Sequence, residues 1–125
     1  MKKIISSTNA PAAIGPYSQA VEINNMVYTS GVIPINPEDG TLVTGDIKVQ
    51  AERVLKSLSA LLNDSGTSMD QVIKTTVFIK NMEDFAAMNE VYASYFTTNC
   101  PARSCVEVAR LPKDVLIEIE AIAYK

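Results

Sequence analysis

The sequence lacks histidine and tryptophan altogether. Without His, the chain has no side chain of the kind that most often acts as a general base near neutral pH, and it lacks the commonest metal ligand. Cys100 and Cys105 are its only cysteines, and two cysteines without His do not make a zinc site. Because 47% of the residues are apolar, the fold does not need a disulfide, and we expect both thiols to be reduced.

A strong charge of one sign and long apolar runs are also missing. The net charge is −3 with no basic block, and aromatic residues make up only 6%, which argues against nucleic acid as the main partner. No apolar run approaches the length of a membrane span, and the apolar patch near the N-terminus is too short for a signal peptide. We therefore expect a cytoplasmic protein that does not contact a membrane.

The length of 125 residues predicts one domain over residues 1–125. Two strand-like segments, "AVEIN" and "MVYTSGVIPI", meet at Asn24-Asn25, and asparagines tolerate the positive φ of a tight hairpin. An apolar stripe at helical spacing predicts a helix from about Asp46, which can cap it, to Ser65, with a glycine behind it that can end it.

The second half of the chain predicts a strand over residues 72–80 and a second helix that begins near Asn81 and is stopped by Pro101. Two further strands follow, "PARSCVEV" and "VLIEIEAIA", and their short connection, "RLPKD", predicts an antiparallel hairpin. Two helices with one-sided apolar stripes can cover one face of a single sheet, so the predicted fold class is α+β.

Polar side chains lie inside the two last strands. Arg103 and Cys105 share one side of the first, and Glu118 lies on the polar side of the second. We expect all three on the sheet face that the helices leave open. Because a face that is both apolar and ionic is poorly suited to water, it predicts a subunit interface in a closed, symmetric assembly.

Arg103 and Glu118 are the strongest candidates for chemistry. The planar guanidinium of Arg103 suits bidentate capture of a carboxylate, although composition alone favours an ion pair with Glu107 or Glu120 at an interface. Burial among isoleucines raises the pKa of a carboxyl such as Glu118, and a nearby arginine lowers it again. In either case this group can position a water and carry protons. It can also be an ordinary strand carboxylate, and the pattern alone does not separate it from Glu120.

Other candidates are less distinctive. Cys105 has no His to activate it as a nucleophile, so its backbone is the better candidate for a ligand contact. Tyr17 lies on a Pro-rich loop and either packs or lines a pocket. Ser30 and Gly31 interrupt a strand, which often marks the close approach of another group to the backbone. Asn89, on the polar side of the second helix, is either exposed or part of a site.

The whole chain resembles the Rid family, also called the YjgF family, through "NAPAAIGPYSQ", "YTSGVIPINP", "VIKTTVFIKNMEDFAAMNEVYASYF" and "PARSCVEVARLPKDVLIEIEAIA". The resemblance implies a chorismate-mutase-like domain: a single sheet with two helices on one face. It also implies a homotrimer in which the strands face the trimer centre and ligands bind in clefts between subunits. It further implies hydrolysis of 2-imino acids, formed from enamines such as 2-aminoacrylate, to 2-keto acids and ammonia, with no metal or organic cofactor.

Residue roles carry over by motif. Arg103 would bind the substrate carboxylate and Glu118, rather than Glu120, would hold the attacking water. The pocket would be lined by Tyr17, Ser30, Gly31, Asn89 and Cys105. The chain departs from the family at Val32, where Gln is frequent, and we expect this residue to point away from the site. The same cleft would also serve a non-catalytic, regulatory trimer that senses keto or amino acids.

Overall fold

A computed structural model describes all 125 residues. One mixed sheet contains six strands in the order β1-β2-β3-β6-β4-β5. The strands are β1 (Lys3–Ile5), β2 (Ala20–Ile23), β3 (Met26–Thr29), β4 (Val72–Ile79), β5 (Ala102–Glu107) and β6 (Ile117–Tyr124). Two helices, α1 (Ile47–Asp64) and α2 (Phe85–Tyr95), pack on one face of this sheet, which confirms the predicted α+β class. Neither helix is both long and apolar enough to cross a membrane.

The local signals in the first half of the chain are confirmed. Asn24 and Asn25 both adopt positive φ, at 51° and 61°, and close the hairpin between β2 and β3. The Asp46 side chain accepts a hydrogen bond from the Val49 amide at 3.1 Å and caps α1. Gly66 follows the helix with a φ of 85°, a conformation that costs glycine little.

The second helix is shorter than the sequence predicts. Asn81 caps a short 3₁₀ turn by accepting a hydrogen bond from the Glu83 amide at 2.9 Å, and α2 begins only at Phe85. The helix ends at Tyr95, well before Pro101, because Phe96 has left the helical conformation. Proline therefore lies beyond the helix and does not itself end it.

The predicted hairpin between the two last strands is wrong. β5 pairs with β4 in parallel, and β6 lies between β3 and β4, antiparallel to both. The connection contains a 3₁₀ turn, Pro112–Asp114, in which Lys113 and Asp114 both have a φ of 56°. This connection crosses the C-terminal end of β4, which pairs with β5 along one edge and with β6 along the other. The short first strand, β1, was also missed.

The core lies between the helices and one face of the sheet. The residues of β6 that face the helices are 0–2% exposed: Ile117, Ile119, Ala121 and Ala123. Val32 makes an isolated bridge to Ile119 and is 6% exposed, so it belongs to this core and points away from the open face as expected. Glu118 and Glu120 alternate with the core residues and therefore lie on the open face.

The prediction that Arg103, Cys105 and Glu118 all lie on the open face is wrong for Arg103 and Cys105. Arg103 pairs with Thr75 and Cys105 pairs with Val77, and both partners are buried on the helix side of β4. Arg103 and Cys105 therefore lie on the side that carries the helices, opposite Glu118. Strand alternation shows which residues share a side, but it does not show which side of an edge strand turns towards the helices.

Candidate functional site

Arg103 is held at the sheet edge by side chains of α2. Its guanidinium carbon lies 4.7 Å from the ring centroid of Tyr92 and 5.4 Å from that of Phe85. Its Nη1 donates a hydrogen bond to Oδ1 of Asn89 at 2.7 Å. Cation–π contact and this single hydrogen bond fix the plane of the guanidinium without neutralising its charge.

The alternative role for Arg103, an internal ion pair, is not found. Arg103 takes part in none of the three ion pairs of the chain. Glu107 instead accepts a hydrogen bond from the Met82 amide at 2.8 Å. Four of the five guanidinium N–H donors have no protein partner within the chain, so the half-buried group is free to bind an anion.

The recess beside Arg103, hereafter the arginine recess, is partly aromatic and rigid. It is lined by Asn89, Tyr92, Ala93, Phe96, Cys100, Pro101 and Arg103. The Tyr92 hydroxyl shares a hydrogen bond of 2.7 Å with that of Thr75, which ties the helix to the sheet beneath the guanidinium. A planar anion entering the recess would therefore meet a pre-oriented guanidinium.

Cys105 lies next to this recess on the same side of β5. Burial raises the pKa of its thiol, and the positive charge of Arg103 offsets this rise only in part. Because a raised pKa lowers the fraction of thiolate, the structure gives no support to Cys105 as a nucleophile.

Glu118 forms the centre of a second space on the open face, hereafter the glutamate cleft. Burial, and then the negative charge of Glu120, raise the pKa of Glu118. A Cβ atom on residue 31 would lie 2.0 Å from Oε2 of Glu118, so only glycine leaves room for the carboxylate here. The hydrogen bonds between Val32 and Ile119, at 2.8 and 3.1 Å, hold this backbone against β6.

Tyr17 and Ser30 complete the rim of the cleft. Its lining consists of Ile14, Tyr17, Ser30, Gly31, Ile33, Pro112, Glu118 and Glu120. The Ser30 hydroxyl donates a hydrogen bond to the Ser18 carbonyl at 2.6 Å, and the Ser30 amide donates to the Gln19 carbonyl at 2.9 Å. The loop that carries Tyr17 is thereby fixed next to Gly31.

The predicted site residues thus fall into two groups. Tyr17, Ser30, Gly31 and Glu118 meet in the glutamate cleft, whereas Arg103 and Asn89 meet in the arginine recess with Cys105 beside it. The two spaces share no residue and lie on opposite sides of the sheet, so one chain cannot bring Arg103 to Glu118.

Sequence reasoning missed the aromatic support of Arg103. From the sequence alone, Phe85 and Tyr92 fit the apolar stripe of the second helix, and Asn89 lies on its polar side. The three residues follow the i, i+4, i+7 spacing of one helical face, and this spacing was the available signal.

Known proteins resemble this chain over nearly its whole length. A family model described as Endoribonuclease L-PSP matches residues 7–125. A RutC family protein of Pyrococcus horikoshii is 58% identical and covers 100% of this chain and 99% of its own. A 2-iminobutanoate/2-iminopropanoate deaminase of Escherichia coli K12 is 52% identical, with coverage of 100% and 99%.

A solved structure of a Rid family protein from Yersinia pestis superimposes on this chain with a TM-score of 0.97 at 50% identity. The superposition covers 100% of each chain. With a family model that spans residues 7–125 and relatives above 50% identity over the whole length, the chain belongs to the Rid (YjgF) family.

Proposed function

We propose that the protein is a 2-iminobutanoate/2-iminopropanoate deaminase, which hydrolyses a 2-imino acid to a 2-keto acid and ammonia. The observation that carries the proposal is the Arg103 guanidinium, which is half-buried, oriented by two aromatic rings and paired with no carboxylate of the chain. A charge that is partly withdrawn from water and has no counter-ion gains most from an anionic partner, so this position favours an anionic ligand. The deaminase name of the relative from Escherichia coli points to the same substrate class.

In the proposed complex, Arg103 binds the substrate carboxylate through two parallel N–H···O bonds. Charge-assisted bonds of this kind contribute roughly 1.5–3 kcal/mol each. Asn89 accepts from Nη1 at 2.7 Å and restrains the rotation of the guanidinium, which lines the recess. The imino carbon next to the carboxylate is then held at a fixed distance from this anchor.

Glu118 supplies the acid–base step. Its carboxylate accepts a proton from a water molecule as the water oxygen bonds to the C=N carbon, which gives a tetrahedral carbinolamine. The same proton then passes to the nitrogen, which becomes an amino group. Glu118 next moves the hydroxyl proton of the carbinolamine to this amino group, and ammonia leaves as the C–N bond breaks and the C=O bond forms. A pKa raised by burial suits this exchange, because it brings the group nearer to neutral pH.

The site requires at least two copies of the chain. We propose a homotrimer in which the open sheet face turns towards the trimer centre and the arginine recess of one subunit closes the glutamate cleft of its neighbour. Partly exposed apolar side chains on that face support such burial, among them Ile23, Tyr28, Val106 and Tyr124. No metal or organic cofactor enters the proposed steps.

The proposal is tested by producing 2-aminoacrylate with a pyridoxal-phosphate-dependent dehydratase and following release of the keto acid. We expect the pure protein to accelerate release and the Arg103→Ala variant to lose most of this effect. Acceleration that survives the substitution would refute the assignment of Arg103.

If the protein gives no acceleration but binds pyruvate in calorimetry, it is instead a sensor of keto acids. An RNA substrate in parallel tests the activity that the family model's description names.

A further inference from the structure

We infer that Thr75, a buried residue that does not line the arginine recess, is a positioning residue for carboxylate binding. Its hydroxyl fixes the ring of Tyr92, and this ring fixes the guanidinium of Arg103. The inference rests on the function proposed above, because it concerns how firmly the same site holds the substrate carboxylate.

Thr75 places a hydroxyl at a core position of β4. It is 0% exposed, as are the next two residues on the same side of the strand, Val77 and Ile79. A hydroxyl in such surroundings costs free energy unless it has a hydrogen-bond partner. The Tyr92 hydroxyl is that partner, at 2.7 Å, and each of the two groups thereby satisfies the other.

This hydroxyl pair adds little to the stability of the fold. When both partners of a buried hydrogen bond are replaced by apolar groups of the same shape, the change in stability is close to zero. Valine and phenylalanine would therefore serve the core as well as Thr75 and Tyr92 do. What the pair supplies is a fixed position for the Tyr92 ring.

Three elements of the fold meet at this ring. Thr75 and Arg103 are direct partners in the parallel register of β4 and β5. Tyr92 of α2 contacts both, since its hydroxyl is bonded to Thr75 and its ring centroid lies 4.7 Å from the guanidinium carbon of Arg103. The position of the ring therefore sets the position of the guanidinium.

The hydroxyl pair is one of two side-chain hydrogen bonds between α2 and the sheet. The other joins Asn89 to the guanidinium of Arg103 itself. The remaining side-chain hydrogen bonds from α2 to other elements go to α1. Thr75 thus makes the one polar link that holds α2 against the sheet independently of the group that binds the ligand.

Tyr92 supports the guanidinium without neutralising its charge. Burial raises the pKa of Tyr92, and the hydrogen bond with Thr75 and the charge of Arg103 offset this rise only in part. The phenol is therefore protonated at neutral pH. Its ring face attracts the cation, and the positive charge stays available to an anion.

The test compares Thr75→Val with Thr67→Val, since each change removes one buried threonine hydroxyl. The Thr67 hydroxyl donates to the Tyr124 carbonyl, and Thr67 lines neither the arginine recess nor the glutamate cleft. KM is measured with an imino acid made in place by an amino-acid oxidase, and Kd is measured with pyruvate by calorimetry.

Thr75→Val should raise both KM and the Kd of pyruvate about fivefold, since one neutral hydrogen bond has a net effect of about that factor. It should leave kcat nearly unchanged, because the carboxylate is held equally in the substrate and in the transition state. Thr67→Val should lower Tm and leave KM, Kd and kcat unchanged.

A double variant, Thr75→Val with Tyr92→Phe, separates positioning from stability. It leaves neither hydroxyl unpaired, so Tm should return to about that of the original protein. Because the ring is no longer fixed to β4, KM and the Kd of pyruvate should stay raised about fivefold. Original values of KM and Kd in the double variant would overturn the inference, since the pair would then act on stability alone.

Failure of the inference differs from failure of the proposed function. Unchanged KM and Kd in Thr75→Val would overturn the inference and leave the deaminase intact. If the original protein accelerates no release of keto acid, the proposed function fails, and the Kd of pyruvate in the same variants still decides the inference. Absence of both hydrolysis and pyruvate binding would overturn the two together.

Discussion

Gly31 and Glu118 are in such close contact that the glycine has no room for a side chain. A Cβ atom at residue 31 would lie 2.0 Å from Oε2 and 2.6 Å from Cδ of Glu118. Gly31 is not among the residues with positive φ, so sterics rather than backbone conformation require glycine here. The contact sets the position of the carboxylate that we propose as the acid–base group.

Gly31→Ala should displace the Glu118 carboxylate and lower kcat about 100-fold, since misplacement of a reacting group by about 1 Å has an effect of that order. Gly40→Ala is the control, because Gly40 has a φ of 73° and no other group within 4 Å of its added Cβ. The control should lose about 1 kcal/mol of stability and keep its activity. Steady-state kinetics and thermal unfolding separate the two effects, and full activity of Gly31→Ala would contradict the geometry.

The pH profile should depend on Glu120. Glu118 must be charged to accept a proton from water, so kcat/KM falls as the pH drops through its pKa. Burial is the larger cause of the raised pKa and the charge of Glu120 is the smaller one. Glu120→Gln removes only the second cause, so the acid limb should move to lower pH without reaching the ordinary value for a glutamate.

Stability gives an independent check on the same interaction. A carboxyl group whose pKa is raised by folding weakens the fold at pH values above that pKa, and the penalty disappears below the pKa of the unfolded chain. Glu120→Gln should therefore raise the free energy of unfolding at pH 7 and leave it nearly unchanged near pH 3. If the acid limb of the kcat/KM profile and the free energy of unfolding at pH 7 both stay unchanged in Glu120→Gln, then Glu120 does not act on Glu118.

Arg103→Lys should weaken substrate binding because lysine keeps the charge but loses the planar pair of donors and the contact with two aromatic rings. Loss of one charge-assisted hydrogen bond, roughly 1.5–3 kcal/mol, raises KM about 10- to 150-fold. Arg110→Lys is the matched control. Arg110 forms an ion pair with Asp114 at the surface, where the two side chains are 79% and 71% exposed. Its kinetics should equal those of the original protein, and an unchanged KM in Arg103→Lys would contradict the assigned role.

Mixing two inactive variants should restore activity if the site lies between subunits. Arg103→Ala keeps an intact glutamate cleft, and Glu118→Gln keeps an intact arginine recess. After unfolding and refolding an equal mixture, about one quarter of the sites in a cyclic assembly combine both intact halves. Activity near that fraction is expected, whereas no activity in a mixed assembly would place both residues in one subunit.

Local chemistry in the sequence determined the secondary structure well. Asn24 and Asn25 close a hairpin, Asp46 caps α1, and the alternation in β6 separates Ile117 and Ile119 from Glu118, because each of these preferences depends on near neighbours in the chain. Motifs likewise supplied the candidate residues. The sequence also predicted that Val32 points away from Gly31, since adjacent strand residues face opposite sides.

Only the tertiary structure decided how the strands pair and which side of the sheet each candidate occupies. β4 takes a partner on each edge and thereby separates β5 from β6, although a short loop between them favoured a hairpin. That pairing places Arg103 under α2 and Glu118 on the open face. Alternation along a strand fixes relative sides, but contacts between residues distant in the chain select which side becomes the core, and here they divide the proposed site into two halves.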